Sequence, residues 1–266
     1  MRPPLSFIRN GLALAGIGLG FGLGLLLGNA QAADISIVSS GGFAPAYKSL
    51  APAFEKATGH TLHSAWGPSM GDTANAIPKR LSRGELIDVV IMVGSALDNL
   101  VQQGQLRADS KVLLARSKIA MAVQSGAPQP DIRTVEALRN TLLQAKSIAY
   151  SDSASGVYLS TVLFPRLGIA DQIKGKARMI PSEPVGQVVA RGDFEIGFQQ
   201  RSELAHVAGV DVVGLLPEEA QEVTLYSAAV VTNAAQAEAG RALIRFLASP
   251  QAANTINETG LEAANR

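Results

Sequence analysis

The chain has no cysteine, only three histidines and a single tryptophan in 266 residues. Without cysteine there is no disulfide framework, no thiolate metal site, no thiol nucleophile and no lipid-modified cysteine anchor. His60, His63 and His206 are too scattered to form a metal cluster. Excess charge of one sign is also missing. Its 23 basic side chains face 22 acidic ones, which gives no electrostatic footprint for nucleic acid. Beyond the N-terminal segment there is no low-complexity tract, long linker or internal repeat.

The one long uncharged run lies at the N-terminus. Arg2 and Arg9 are the only charged residues before Asp34. A Gly/Leu/Ala stretch between Asn10 and Asn29 leads to Ala30-Gln31-Ala32, the small-x-small pattern that signal peptidase reads. The run is marginally long enough to span a bilayer, but its glycines make a poor permanent helix. The expectation is therefore a signal peptide over residues 1–32, cut after Ala32, and a periplasmic protein that is not membrane-embedded after processing. Loss of the two arginines brings the mature charge to near −1.

In the mature part, short apolar segments alternate with amphipathic ones. That is the pattern of parallel or mixed sheets flanked by helices, an α/β fold. Strands are expected at 35–39, 61–66 and 88–93. The intervening helix, 43–58, should set Phe43, Tyr47, Leu50 and Phe54 against the sheet. Segments 112–115 and 119–123 are extended and bracket Arg116-Ser117-Lys118, a polar patch read as the crossing into a second lobe. Thr134 should cap a helix. Further strands are expected at 147–151, 177–180 and 194–198, with 152–156 a loop. A return crossing is expected at 223–232, and a last helix, 234–248, should stop at Pro250. The lobes would be 33–115 with 224–266, and 116–223, joined by a two-strand hinge. His63 reads as a core histidine, and Trp66 as core rather than cleft lining.

In such sheets ligands bind beyond the carboxyl ends of the strands. Those ends carry Ser39-Ser40-Gly41, Gly67-Pro68-Ser69-Met70, the 151–157 segment with Ser155, Gly156 and Val157, and Ser182-Glu183 followed by Pro184 and Val185. Each precedes a helix, so free N–H groups, the helix dipole and serine hydroxyls together suit an anion. A single Ser/Gly loop is usually a mere cap. Four of them at corresponding places in two lobes point to a shared anion cleft.

Three segments carry a resemblance: Asp34 to Ser40, Tyr150 to Tyr158, and Val185 to Phe198. On these the mature chain resembles the molybdate-binding family of periplasmic solute-binding proteins, which implies a two-lobed, type II-like binding-protein fold. The first loop fits that family with Ser39 and Ser40, and the second fits in part. Where the family places a tyrosine after the Gly-containing strand, this chain has Gln200, preceded by Gln199. Amides both donate and accept, and suit a carboxylate better than a bare oxyanion. This variant resembles the divergent branch that includes periplasmic aconitate isomerases. The resemblance implies interconversion of trans- and cis-aconitate by allylic proton transfer, without cofactor or metal. The alternative it leaves open is the receptor of an ATP-driven importer, with an ABC permease as partner and an oxyanion or small carboxylate as ligand.

Allylic transfer needs a base that removes a methylene proton and returns it at the far carbon. The strand-end candidates are Glu183, Tyr158 and Asp152. Each has a plainer reading: Glu183 as a first-turn acid favoured by the helix dipole, Asp152 as a cap, Tyr158 as core packing. Ser39 or Ser69 is no nucleophile, since no Gly-x-Ser-x-Gly elbow occurs. Intact-mass or N-terminal analysis of periplasmic material should show Ala33 as the first residue. An unprocessed chain in the membrane fraction contradicts the leader assignment.

Overall fold

The computed structural model describes Met1 and residues 32–265. The signal-peptide expectation falls almost wholly outside the described residues. The strands are β1 Asp34–Ser39, β2 Thr61–Trp66, β3 Val89–Val93, β4 Val112–Ser117, β5 Ile119–Gln124, β6 Ile148–Ser151, β7 Ala177–Ile180, β8 Ile196–Gln200, β9 Val210–Leu215, β10 Thr224–Val230 and β11 Glu262–Ala263. They form two sheets, ordered β11-β4-β10-β3-β1-β2 and β7-β6-β8-β5-β9. In both, parallel pairs are joined by helical crossovers and antiparallel pairs lie on the side where the chain changes sheet.

Hydrophobic order follows position in the sheet. β3 reads Val-Val-Ile-Met-Val and is buried throughout, because helices cover both of its faces and β1 and β10 flank it. Each of those side chains contributes about 1.5–3 kcal/mol relative to exposure. Phe43, Tyr47, Leu50 and Phe54 are buried against the same sheet, as their helical spacing predicts. Thr134 caps its helix by accepting from the Ala137 N–H. The second sheet has its own core around Met121, Leu138, Ile148, Leu163 and Phe198.

Only Lys118 separates β4 from β5, so the outward crossing is a single residue long. The return crossing, between β9 and β10, is tied to it by one side chain. Gln221 accepts from the Ile119 N–H at 2.8 Å and donates to the Ile119 carbonyl at 3.0 Å.

The structure corrects four local expectations. His63 is exposed on the edge strand β2 and pairs with Asp34, since an edge strand has one poorly covered side. Residues 154–156 are not loop: the helix begins at Ala154 and runs through a π-turn, Leu159–Leu163, to Arg166. Gln199 and Gln200 belong to β8 rather than to the segment after it. Pro250 follows the end of the helix expected over 234–248, which stops at Leu247, yet that helix is not the last. Pro250 itself occupies the first turn of a second helix, Pro250–Glu258, where its missing N–H costs nothing.

Asp88 holds the first sheet to its covering helix. Its two carboxylate oxygens accept from the N–H groups of Ser36 at 2.9 Å and Gln236 at 2.8 Å, and the residue is buried. Asp88→Ala should orphan both donors and cost about 2–6 kcal/mol, at about 1–3 kcal/mol for each group left unpaired. Urea denaturation of the variant beside the wild type measures the difference.

Candidate active site

The loop after β1 is fixed by its backbone. Ser40 N–H donates to the Ile91 carbonyl at 2.8 Å, and Ser39 Oγ donates to the Ser40 carbonyl at 3.1 Å. Ser40 Oγ is buried and has no hydrogen-bond partner among the described residues. In the second loop, Ser69 Oγ accepts from the Val93 N–H at 2.9 Å, which pins that loop to the end of β3. Across the cleft, the hydroxyls of Ser151 and Ser155 share a hydrogen bond of 2.9 Å. Gly156 permits this turn. A Cβ there would lie 1.6 Å from the Ser151 carbonyl oxygen.

Two hollows open between loops of the two sheets. The smaller, about 150 Å³, is lined by Gly41, Trp66, Asp152, Ser182, Pro184 and Glu203, with Glu183 and Gln199 beside them. Trp66 is thus cleft lining, contrary to its core reading, while its ring also meets Tyr47 edge-on. The larger, about 660 Å³, is bordered by Met70, Val157 and Tyr158 together with Leu113 and Leu225. Ser39, Ser40, Ser155, Gly156, Val185 and Gln200 lie buried beneath these surfaces.

The three sequence-named acids and phenol have separate surroundings. Glu183 is half-buried and paired with Arg191 at 2.5 Å, which holds its carboxyl below the usual range. That ion pair accounts for it, and it sets Glu183 apart from a base poised near neutrality. Asp152 accepts from the Ser182 N–H at 3.0 Å. Ser182 has φ +58°, so Asp152 holds a left-handed residue that its side chain disfavours. Tyr158 OH donates to the Ala220 carbonyl at 3.1 Å and accepts from Arg166 at 3.2 Å, which ties its helix to the return crossing.

Three departures concern the proposed anion donors. Pro184 has no N–H to offer. The Val185 N–H is already taken by Gln199 Oε1, at 2.9 Å. The Gln200 amide is likewise engaged: it donates to Thr224 Oγ1, on the border of the larger hollow, at 2.8 Å, while its Oε1 is buried with no partner among the described residues.

Glu203 is the group that sequence reading missed. It stands on the short helix Arg201–Leu204, directly after β8. Gln199 Nε2 donates to its Oε1 at 3.0 Å. Burial pushes its carboxyl up to about 7, the hydrogen bonds from Gln199 and the Gln200 backbone oppose that rise, and the charge of Asp152 adds to it. Had β8 been taken to end at Gln200, the strand-end rule would have pointed to this carboxyl three residues on.

The sequence pattern of the bacterial extracellular solute-binding protein family matches residues 35–262. The chain belongs to this family. Among solute-binding proteins and their relatives, it is 55% identical to the aconitate isomerase of a Pseudomonas species over 237 residues, 89% of this chain and 90% of that one. It is 25% identical to the molybdate-binding protein ModA of Azotobacter vinelandii over 258 residues, 93% of this chain and 97% of that one. The solved periplasmic molybdate-binding protein of Azotobacter vinelandii superposes with TM-score 0.69 at 19% identity, covering 85% of this chain and 98% of that one. That likeness is one of fold, the two-lobed binding-protein scaffold. No helix among the described residues is long and apolar enough to cross a membrane.

The raised Glu203 carboxyl has a stability signature. Its folded-state value of about 7 lies above the ordinary 4.5, so the folded protein holds this proton more tightly than the unfolded chain. The stabilisation is complete below about 4.5 and is lost as pH rises through 7. Glu85, Asp131 and Glu183, whose carboxyls are lowered, stay ionised over that window. The difference in melting temperature between wild type and Glu203→Gln should therefore change between pH 5 and 8, with the wild type losing ground as pH rises. Parallel curves would contradict the assignment.

Proposed function

We propose that the chain is an exported isomerase that interconverts trans- and cis-aconitate on the solute-binding scaffold. The carrying observation is the 55% identity to an aconitate isomerase along nine-tenths of both chains. In this reading residues 1–32 are the leader, and segments 33–115 with 224–266 and 116–223 are the lobes that enclose the ligand.

The reaction is a 1,3-shift. A base takes a proton from the methylene carbon, the C–H pair becomes a new double bond to the central carbon, and the old double-bond pair moves to the far carbon. That carbon takes the proton back. The charge that develops is shared with the adjoining carboxylate, and it is stabilised by donors already in place. Ser40 Oγ, buried without a partner, supports a role for the first loop in holding a carboxylate. Ser39, Gly41, Ser69, Met70, Ser155, Gly156 and Val157 complete the set of loops proposed around the ligand. Asp152 keeps the Ser182 turn in place, and Tyr158 keeps its helix against the return crossing.

A second reading, the receptor of an importer that hands a small anion to an ABC permease, is favoured by the 25% identity to a molybdate-binding protein over nearly the full length. Purified mature protein incubated with trans-aconitate should yield cis-aconitate, resolved by chromatography. Aconitate should also raise the melting temperature, since a ligand bound only by the native state stabilises it. Stabilisation by molybdate, with no effect of either aconitate and no turnover, establishes the receptor instead.

A further inference from the structure

We propose that Glu203 is the catalytic proton carrier of this site. The assignment rests on the isomerase reading and deepens it. Three features of geometry carry it.

The first is position. Glu203 lines the same hollow as Gly41, Asp152 and Ser182, with loops of both sheets around it. Its helix is anchored where the sheets meet. The Arg201 N–H donates to the Lys118 carbonyl at 2.9 Å, and Ser202 Oγ donates to the Gly42 carbonyl at 2.7 Å. Leu204 is buried under β5. The carboxyl therefore sits on a rigid support at the junction of the lobes.

The second is space. A Cβ at Gly41 would stand 2.3 Å from Glu203 Oε1. A side chain at position 41 would push the carboxyl out of its present place, which the glycine leaves open.

The third is orientation. Gln199 is held at both ends. Its Oε1 accepts from the Val185 N–H at 2.9 Å, which fixes the amide so that Nε2 faces Glu203. The carboxyl is thus aimed by a neutral donor and not by a cation. Glu183, by contrast, is tied up by Arg191.

The groups that act electrostatically around Glu203 are Asp152 across the hollow and Tyr226, whose phenol lies beside Gly42 and is itself raised by burial and by the charge of Glu203. Neither is a cation. With its carboxyl near 7, Glu203 is about half ionised at neutral pH, where a general base works best. As carboxylate it takes the methylene proton. As neutral acid it returns that proton to the far allylic carbon, so the enzyme ends as it began and no co-reactant is consumed.

The test compares wild type, Glu203→Gln and Glu203→Asp in turnover of trans-aconitate, beside calorimetric affinity for the same compound. Glu203→Gln should lower kcat by about 10²-fold or more with affinity changed by no more than a few fold, the pattern of a lost general base. Glu203→Asp should recover part of the rate. The wild-type kcat/KM should fall as pH drops through about 7, and that limb should be missing in the residual activity of Glu203→Gln. A merely structural role would move affinity and rate together and leave the limb in place, which overturns the proposal. If the wild type turns over aconitate and Glu203→Gln keeps more than a tenth of that rate, the assignment to Glu203 falls and the isomerase reading stands. A wild type that leaves aconitate unchanged overturns both.

Discussion

A half-buried carboxyl with no cation against it is favoured where the surrounding structure supplies room, an oriented neutral donor and a firm support. Around Glu203 these are Gly41, Gln199 and the short helix whose first residues bond to Lys118 and Gly42. Each of those partners depends in turn on the sheets. Gln199 is aimed because it is the penultimate residue of a strand whose neighbours fix its backbone, and because its oxygen accepts from the Val185 N–H at the start of the preceding helix. Gly41 is in place because the Ser40 N–H bonds the loop to β3. A solvated carboxylate would need none of this and would have no reason to titrate near neutrality.

The same economy of cations runs through the smaller hollow. Arg191 stands at its lip, but its guanidinium is taken up by Glu183 and Asp193. The groups lining it are serine hydroxyls, the side-chain amides of Asn75 and Gln199, and the carboxyls of Asp152, Glu183 and Glu203, with no cation among them. Hydroxyls and amides hold charge without titrating, so the state of the site near neutral pH is set by Glu203. Binding and proton transfer thereby fall to different kinds of group.

Much of the fold was legible because central parallel strands must be apolar on both faces. Val89–Val93 can hardly be anything else, and the alternation of strand and helix follows from it. The errors came where position in the sheet overrides local pattern. His63 looked like core because it sits within a strand, yet β2 is an edge. The helix before Pro250 does stop, at Leu247, but the same proline also opens a further helix, a role its local sequence does not announce. The strand-end rule picks out loops that border the two hollows. Val185 was credited with a free N–H that Gln199 uses, a contact between residues fourteen apart that no spacing reveals. Glu203 escaped because β8 was drawn two residues short. The sequence also carries no mark that a glutamate three residues beyond Gln200 will stand half-buried in the cleft wall.

The strand order has a consequence for the making of the chain. β4 lies between β10 and β11, both of which come from the last 43 residues, and β3 needs β10 on its second side. The sheet of β5 to β9 has all its strands once residue 215 has been added, whereas the first sheet waits with open edges until the C-terminus arrives. Exposed edges of apolar strands invite pairing with other chains. During synthesis the segment 34–117, which carries β1 to β4, is thus the part most in need of being held unfolded, and it is the segment with β10 and β11, by slotting in on both sides of β4, that releases it from that dependence.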